Sequence, residues 1–196
     1  MTCCIAIQCR DGVLLAADTA VTWGTARYDR APTKLFQHPR LYEAFTGGGN
    51  AGRIQRMFRE WCDLSDGVEG LQRLARESDR PEDNGLDLLW SDGKDMVRID
   101  RSGGVHLPLS LWMAAGCGAD IAFGWLGARL GGLADPTPQF VNGKPAGTAY
   151  DSAMPNLDDA ERLALDCLAF VARYDTMVAA PFEVLRLSAQ EGSGSE

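Results

Sequence analysis

Histidine and lysine are both scarce in this chain of 196 residues. Two His (His38 and His106) and three Lys (Lys34, Lys94 and Lys144) stand against sixteen Arg. So few imidazoles leave little from which to build a zinc site, and the six Cys include no C-x-x-C pair. No metal or other cofactor is therefore expected. Long apolar runs are missing as well: none approaches the roughly 18 residues needed to cross a bilayer, so no membrane association is expected. The opening MTCCIAIQCRDG lacks the basic, then apolar, then small order of a signal peptide. The expected location is the cytoplasm, where thiols stay reduced, so most of the Cys read as small buried hydrophobes. Basic clusters are absent too. The net charge is −8, and the densest basic set, Arg53, Arg56 and Arg59, reads as a solvated helix face. Phosphate contacts need grouped Lys and Arg, so nucleic acid is not an expected partner.

What the chain does have is short apolar segments cut by turn signals. Cys3–Gln8 and Val13–Ala17 flank Asp11-Gly12, a hairpin signature. Leu35–Phe36 and Leu41–Phe45 read as strands around His38-Pro39. The run Gly47-Gly48-Gly49 then reads as a turn, with Asn50 as a helix cap. Ile54, Met57, Phe58 and Trp61 recur at helical spacing, as do Val68, Leu71, Leu74 and Ala75. After a polar loop at Pro81–Gly85, the segments Leu86–Trp90, Met96–Asp100, Val105–Leu107 and Trp112–Ala115 form a run of strands broken by Gly-rich turns. A helix from Ala119 to Leu130 carries Ile121, Trp125 and Ala128 on one side. Another spans Leu157 to Tyr174, with Asp158 and Asp159 near its start, and Phe182–Leu187 is a last strand.

The order is strands, two helices, strands, two helices, one strand. Strict βαβ alternation would give a parallel sheet, and this is not it. The order predicts an α+β fold: two stacked antiparallel sheets between helix pairs, a four-layer αββα sandwich. Residues 1–188 are expected to form one domain. Within it, residues 131–150, with Pro136, Pro138, Pro145 and Asn142-Gly143, read as a long loop with room for a small hairpin. The Gly/Ser-rich tail 189–196 is expected to be disordered.

Thr2 follows the initiator Met, and its small size permits removal of Met1. The exposed Thr2 would then carry its own base, an α-amine with a reference pKa near 7.7–8.0. Asp18 follows 16 residues later at the end of the second strand, and Lys34 lies 32 residues from Thr2. A lysine in an arginine-rich chain is notable, because an ammonium can be desolvated and give up its proton whereas a guanidinium stays charged.

The stretch Thr2 to Lys34, with VLLAADTAVTWG and APTK, resembles the start of a proteasome β-subunit or of the bacterial proteasome-like peptidase. In that family the mature chain begins with Thr, and an acid and a Lys follow at spacings that Asp18 and Lys34 match without a gap. GGNAG after LYEAF resembles the family's glycine turn into its first helix. Gly48 matches the oxyanion-hole glycine, Gly47 is the alternative in a run of three, and Gly52 replaces the usual acid. AAGCGADIAFGWLGA resembles the family's Gly-Ser-Gly segment, with Cys117 in place of the serine. In ARYDTMV, Asp175 matches the family acid and Val178 falls where a second serine is usual.

The resemblance implies the N-terminal nucleophile hydrolase fold and cleavage of peptide or amide bonds through an acyl-enzyme on Thr2. Lys34 would assist Thr2 Oγ, Asp18 would fix Lys34, Gly48 would supply the oxyanion N–H, and Asp175 would hold the Thr2 amine, with Cys117 in the supporting position. It also implies a homo-oligomeric ring, polypeptide or peptide substrates, and room for an ATP-dependent unfoldase as partner. Two other readings fit the same residues: an inactive ring-forming subunit, because two family serines are replaced, and an amidase acting on a small molecule.

Overall fold

A computed structural model of the chain describes residues 2–23, 26–28, 33–78, 85–108, 110–130, 140–141, 144–145 and 154–189. In chain order these form β1 (Cys3–Cys9), β2 (Gly12–Asp18), β3 (Val21–Trp23), β4 (Ala26–Tyr28), β5 (Leu35–Gln37) and β6 (Ala44–Gly48). Helices α1 (Ala51–Trp61) and α2 (Gly67–Glu77) follow. Then come β7 (Asp87–Ser91), β8 (Met96–Asp100), β9 (Val105–His106), β10 (Trp112–Gly116) and α3 (Ala119–Leu130). The short pair β11 (Phe140–Val141) and β12 (Lys144–Pro145), then α4 (Leu157–Tyr174) and β13 (Phe182–Ser188), complete the order.

Two antiparallel sheets carry the architecture. One runs β10-β1-β2-β13 and the other β5-β6-β7-β8-β9. Three apolar layers separate four structural ones. Helices α3 and α4 cover the outer face of the first sheet through Cys3, Ile5, Ile7, Leu14, Ala164, Leu168 and their neighbours. Helices α1 and α2 cover the second through Phe45, Ile54, Met57, Trp61 and Leu88. Between the sheets lie Cys4, Ala6, Leu15, Ala17, Ala44, Leu89 and Ala115. This is the four-layer αββα sandwich expected from the element order. It also explains why β1 and β2 show no apolar–polar alternation: both of their faces are covered, so both sets of side chains are apolar. Cys3 and Cys4 point to different layers, as adjacent strand residues must.

Both helix caps are local. Asn50 Oδ1 accepts from Arg53 N at 3.1 Å to start α1, and Asn156 Oδ1 accepts from Asp159 N at 2.8 Å to start α4. Asp158 and Asp159 occupy the first turn of α4, where the dipole favours acid. No helix among the described residues is long and apolar enough to cross a membrane. Much of the expected loop 131–150 lies outside the described residues, as do residues 81–84 of the expected polar loop and residues 190–196 of the tail.

Several readings change. Strand β6 is shifted relative to the expected Leu41–Phe45 and runs through the glycines, because Gly47 and Gly48 continue the ladder opposite Leu88 and Asp87. The turn begins only at Gly49, whose φ of 137° favours glycine. Arg53 is not on a solvated face. It is 1% exposed and donates to Ser78 Oγ at 2.9 Å and to the Ala75 carbonyl at 2.8 Å, tying α1 to the end of α2. On α3 the buried line is Ala122 and Leu126, with Ile121 and Trp125 half-buried beside it and Ala128 exposed. Ala128 carries too little surface to set the face. All six Cys are free, but Cys62 is only half-buried and Cys117 is exposed.

Candidate active site

The hairpin register positions the first pair of groups. Cys4 lies opposite Ala17, so the next pair out sets Asp18 beside the Thr2–Cys3 end of β1. The 16-residue spacing is thus the arithmetic of a two-residue turn at Arg10-Asp11; Gly12, read from the sequence as part of the turn, already pairs with Cys9. Asp18 is fully buried, and its Oδ1 accepts from Thr2 Oγ1 at 2.9 Å and from Cys3 N at 2.9 Å. Its Oδ2 accepts from Ala20 N at 3.1 Å.

Lys34 comes from the other sheet, one residue before β5. Its ammonium donates to Thr2 Oγ1, to Asp18 Oδ1 at 2.8 Å and to the Ala20 carbonyl at 2.5 Å. Three acceptors match the three hydrogens of an ammonium. Thr2 and Lys34 are both buried. A buried cation and a buried carboxylate are thus paired and fully hydrogen-bonded, the condition under which such groups are tolerated inside a protein. The arrangement places a positive charge on a hydroxyl oxygen, where it favours an alkoxide.

The glycines close in from above. A Cβ on Gly48 would sit 3.1 Å from Thr2 Cγ2 and 3.1 Å from Gly116 Cα. A Cβ on Gly47 would instead meet Leu88 and the Asp87 carbonyl. Of the two glycines left open by the sequence, Gly48 is the one against Thr2. Gly116 (φ 91°) lets the end of β10 approach the backbone of Thr2, where a Cβ would overlap the Thr2 carbonyl. A cleft of about 480 Å³ opens here, lined by Thr2, Gly48, Gly49, Gly116, Cys117 and the near ends of β7 and β8.

Cys117 and Asp175 form a second chain of contacts. Cys117 Sγ donates to the Thr2 carbonyl at 3.4 Å. Burial, and then the Asp175 carboxylate beside it, push the Cys117 thiol up to about 11, so it is a neutral donor at pH 7. Asp175 caps the end of α4 and accepts from Met177 N at 2.9 Å. Among the described residues its carboxylate lies against Met177 N and the Cys117 thiol, which in turn reaches the Thr2 carbonyl. Val178, in the second serine position, is buried in the core.

The sequence reading did not anticipate the charged wall of the cleft. Asp87, Arg98 and Asp100 line it together with Thr2. The available signal was three charged residues within otherwise apolar strands, but their convergence depends on a register across three strands.

Neither a protein-family model nor a curated protein sequence matches the chain. Among solved structures, it is similar to eukaryotic HslV from Trypanosoma brucei, with a TM-score of 0.65 at 18% identity. The match covers 93% of this chain and 97% of that one. The fold is proteasome-like. At that identity the likeness extends to the backbone arrangement, and the chemistry rests on the side chains described above.

Proposed function

We propose that the chain is a threonine-type N-terminal nucleophile hydrolase that cleaves peptide bonds through an acyl-enzyme on Thr2, exposed by removal of Met1. The observation that carries this is the contact of the buried Lys34 ammonium with Thr2 Oγ1 above Asp18. In the reaction, Thr2 Oγ attacks the substrate carbonyl and its proton passes to the Thr2 α-amine, directly or through a water. The oxyanion that forms is held by backbone N–H at Gly48, a contribution of about 3–4 kcal/mol in comparable sites. Collapse breaks the C–N bond, and the leaving amine takes the proton. Water then attacks the ester, the α-amine again acting as base, and Thr2 is regenerated. Lys34 stabilises the developing negative charge on Oγ, and Asp18 holds Lys34.

The same reading assigns polypeptide or peptide substrates and a homo-oligomeric ring, with an ATP-dependent unfoldase as its partner. The replacement of two family serines by Cys117 and Val178 favours the alternative of an inactive ring subunit. Against it, the Cys117 thiol still reaches the Thr2 backbone. Labelling the purified protein with a peptide vinyl sulfone and mapping the adduct by mass spectrometry decides between them. The expected result is one adduct on an N-terminal Thr2. Retention of Met1 on most molecules would sink the hydrolase. Light scattering tests the ring separately, since a particle of 21.2 kDa would be a monomer.

A further inference from the structure

The cleft that opens on Thr2 has a charged wall whose layout follows from strand pairing. Gly48 lies directly opposite Asp87, and Asp87 lies directly opposite Asp100. Residues paired in this way point to one face of a sheet, as do residues two apart on one strand. Because Gly48 faces Thr2, the row Gly48, Asp87, Asp100, with Arg98 beside it, faces the cleft. All four residues line it.

The pairing within this wall is uneven. Arg98 spends both arms of its fork on Asp87, with Nε to Oδ1 at 2.6 Å and Nη2 to Oδ2 at 2.9 Å. Asp100 Oδ1 accepts from Ser102 N at 2.8 Å, Ser102 Oγ at 2.6 Å and Gly104 N at 2.9 Å, and its Oδ2 meets His106 Nε2 at 2.9 Å. Two carboxylates and one guanidinium line the wall, and the other described residues lining the cleft carry no side-chain charge. A substrate carboxylate would have to displace Asp87 from Arg98 while facing Asp100. A substrate cation meets carboxylate oxygens that still have lone pairs, on side chains that are 38% exposed at Asp100 and 17% at Asp87.

We propose that the Asp87–Arg98–Asp100 wall selects substrates carrying a basic side chain, Lys or Arg, next to the bond that Thr2 cleaves. This rests on the hydrolase reading only for the word cleaves; the charge selection belongs to the cleft.

The test uses two measurements. The first is binding of short peptide amides, identical except for Lys, norleucine or Glu on one flank of a central bond or on the other, to the full-length Thr2→Ala protein by fluorescence anisotropy. The second is kcat/KM for the same series with the parent protein. Lys is expected to be favoured over Glu about threefold to fivefold on one flank, the scale of partly exposed ion pairs, with the preference shrinking at high salt. Asp100→Asn keeps the turn acceptor and should reduce the ratio towards one. Arg98→Gln removes the guanidinium that neutralises Asp87 and should raise it. A role confined to folding would not move the ratio in opposite directions in these two variants. Equal or undetectable binding of the Lys and Glu peptides, or a preference for Glu, overturns the inference. A Lys preference in binding without any turnover by the parent overturns the hydrolase reading and leaves the charge selection standing. Turnover without charge preference does the reverse.

Discussion

Three acceptors, Thr2 Oγ1, Asp18 Oδ1 and the Ala20 carbonyl, surround the Lys34 ammonium in a slot with little room to spare. A guanidinium is larger and forked, so it cannot bring its charge onto Thr2 Oγ1 in the way a compact ammonium does. Lys34→Arg is therefore expected to slow acylation of Thr2 by at least about 100-fold, the scale of losing one preorganised electrostatic contact at the reacting oxygen. Lys94→Arg and Lys144→Arg serve as controls and should change little. Labelling kinetics within a few fold of the parent would remove Lys34 from the mechanism. Cys117 offers a second single-residue test. Its thiol, raised to about 11, should alkylate slowly at pH 8 although the residue is exposed. The rate should keep climbing with pH past the range where a free thiol levels off. Asp175→Asn removes a cause of the rise and should speed labelling at pH 8; an unchanged rate would mean the carboxylate does not act on the thiol.

Elements differ in how far the sequence specified them. The β1–β2 hairpin was legible from Asp11-Gly12 between two apolar runs, but its register was not: the turn is Arg10-Asp11, one residue earlier than that dipeptide signals, and this register brings Asp18 to the Thr2 end. Lys34 was not placed by spacing alone. It sits on the opposite sheet, and only the family resemblance suggested that the two sheets bring it to Asp18. The end of β6 was misread because three consecutive glycines signal a turn by composition, whereas two of them are needed where strands and Thr2 crowd the backbone. Arg53 was misread because its acceptors are carbonyl and hydroxyl groups at the end of α2, which no periodicity shows. Glu43, just before β6, gives a test at this scale. Burial raises its carboxyl above the usual range, although Trp90 Nε1 donates to it at 3.0 Å. A carboxyl with a raised folded pKa stabilises the fold fully below its unfolded pKa, and that contribution is lost as pH rises through the folded value. Glu43→Gln keeps an acceptor for Trp90 without the charge. It should match or exceed the parent in thermal stability at pH 7, and its advantage should disappear near pH 4. A variant markedly less stable than the parent at pH 7 would show that the ionised carboxylate is wanted there.

For the whole molecule, the ion pair beside Thr2 also joins the two halves of the sandwich. Asp18 ends a strand of one sheet, and Lys34 leads into a strand of the other. Their side chains are 0% and 11% exposed, so neither charge has water to fall back on. Breaking such a pair from one side leaves a buried charge without its partner, at a cost of about 3–5 kcal/mol. Asp18→Asn should therefore lower both activity and global stability. For a chain of this size the expected fall in Tm is roughly 6–20 °C. Thr2→Ala should separate the two effects. It removes the hydroxyl and leaves Lys34 and Asp18 bonded at 2.8 Å, so activity should vanish while the loss stays within about 1.5 kcal/mol, the scale of one hydrogen bond. Scanning calorimetry on the parent and both variants at pH 7 checks this. If Asp18→Asn melts within about 2 °C of the parent, well below the cost expected for a broken buried pair, the pair does not hold the sheets together. The contact at Thr2 would then serve chemistry alone. If Thr2→Ala melts as low as Asp18→Asn, the hydroxyl is part of what neutralises the buried charges, and nucleophile and fold cannot be varied separately.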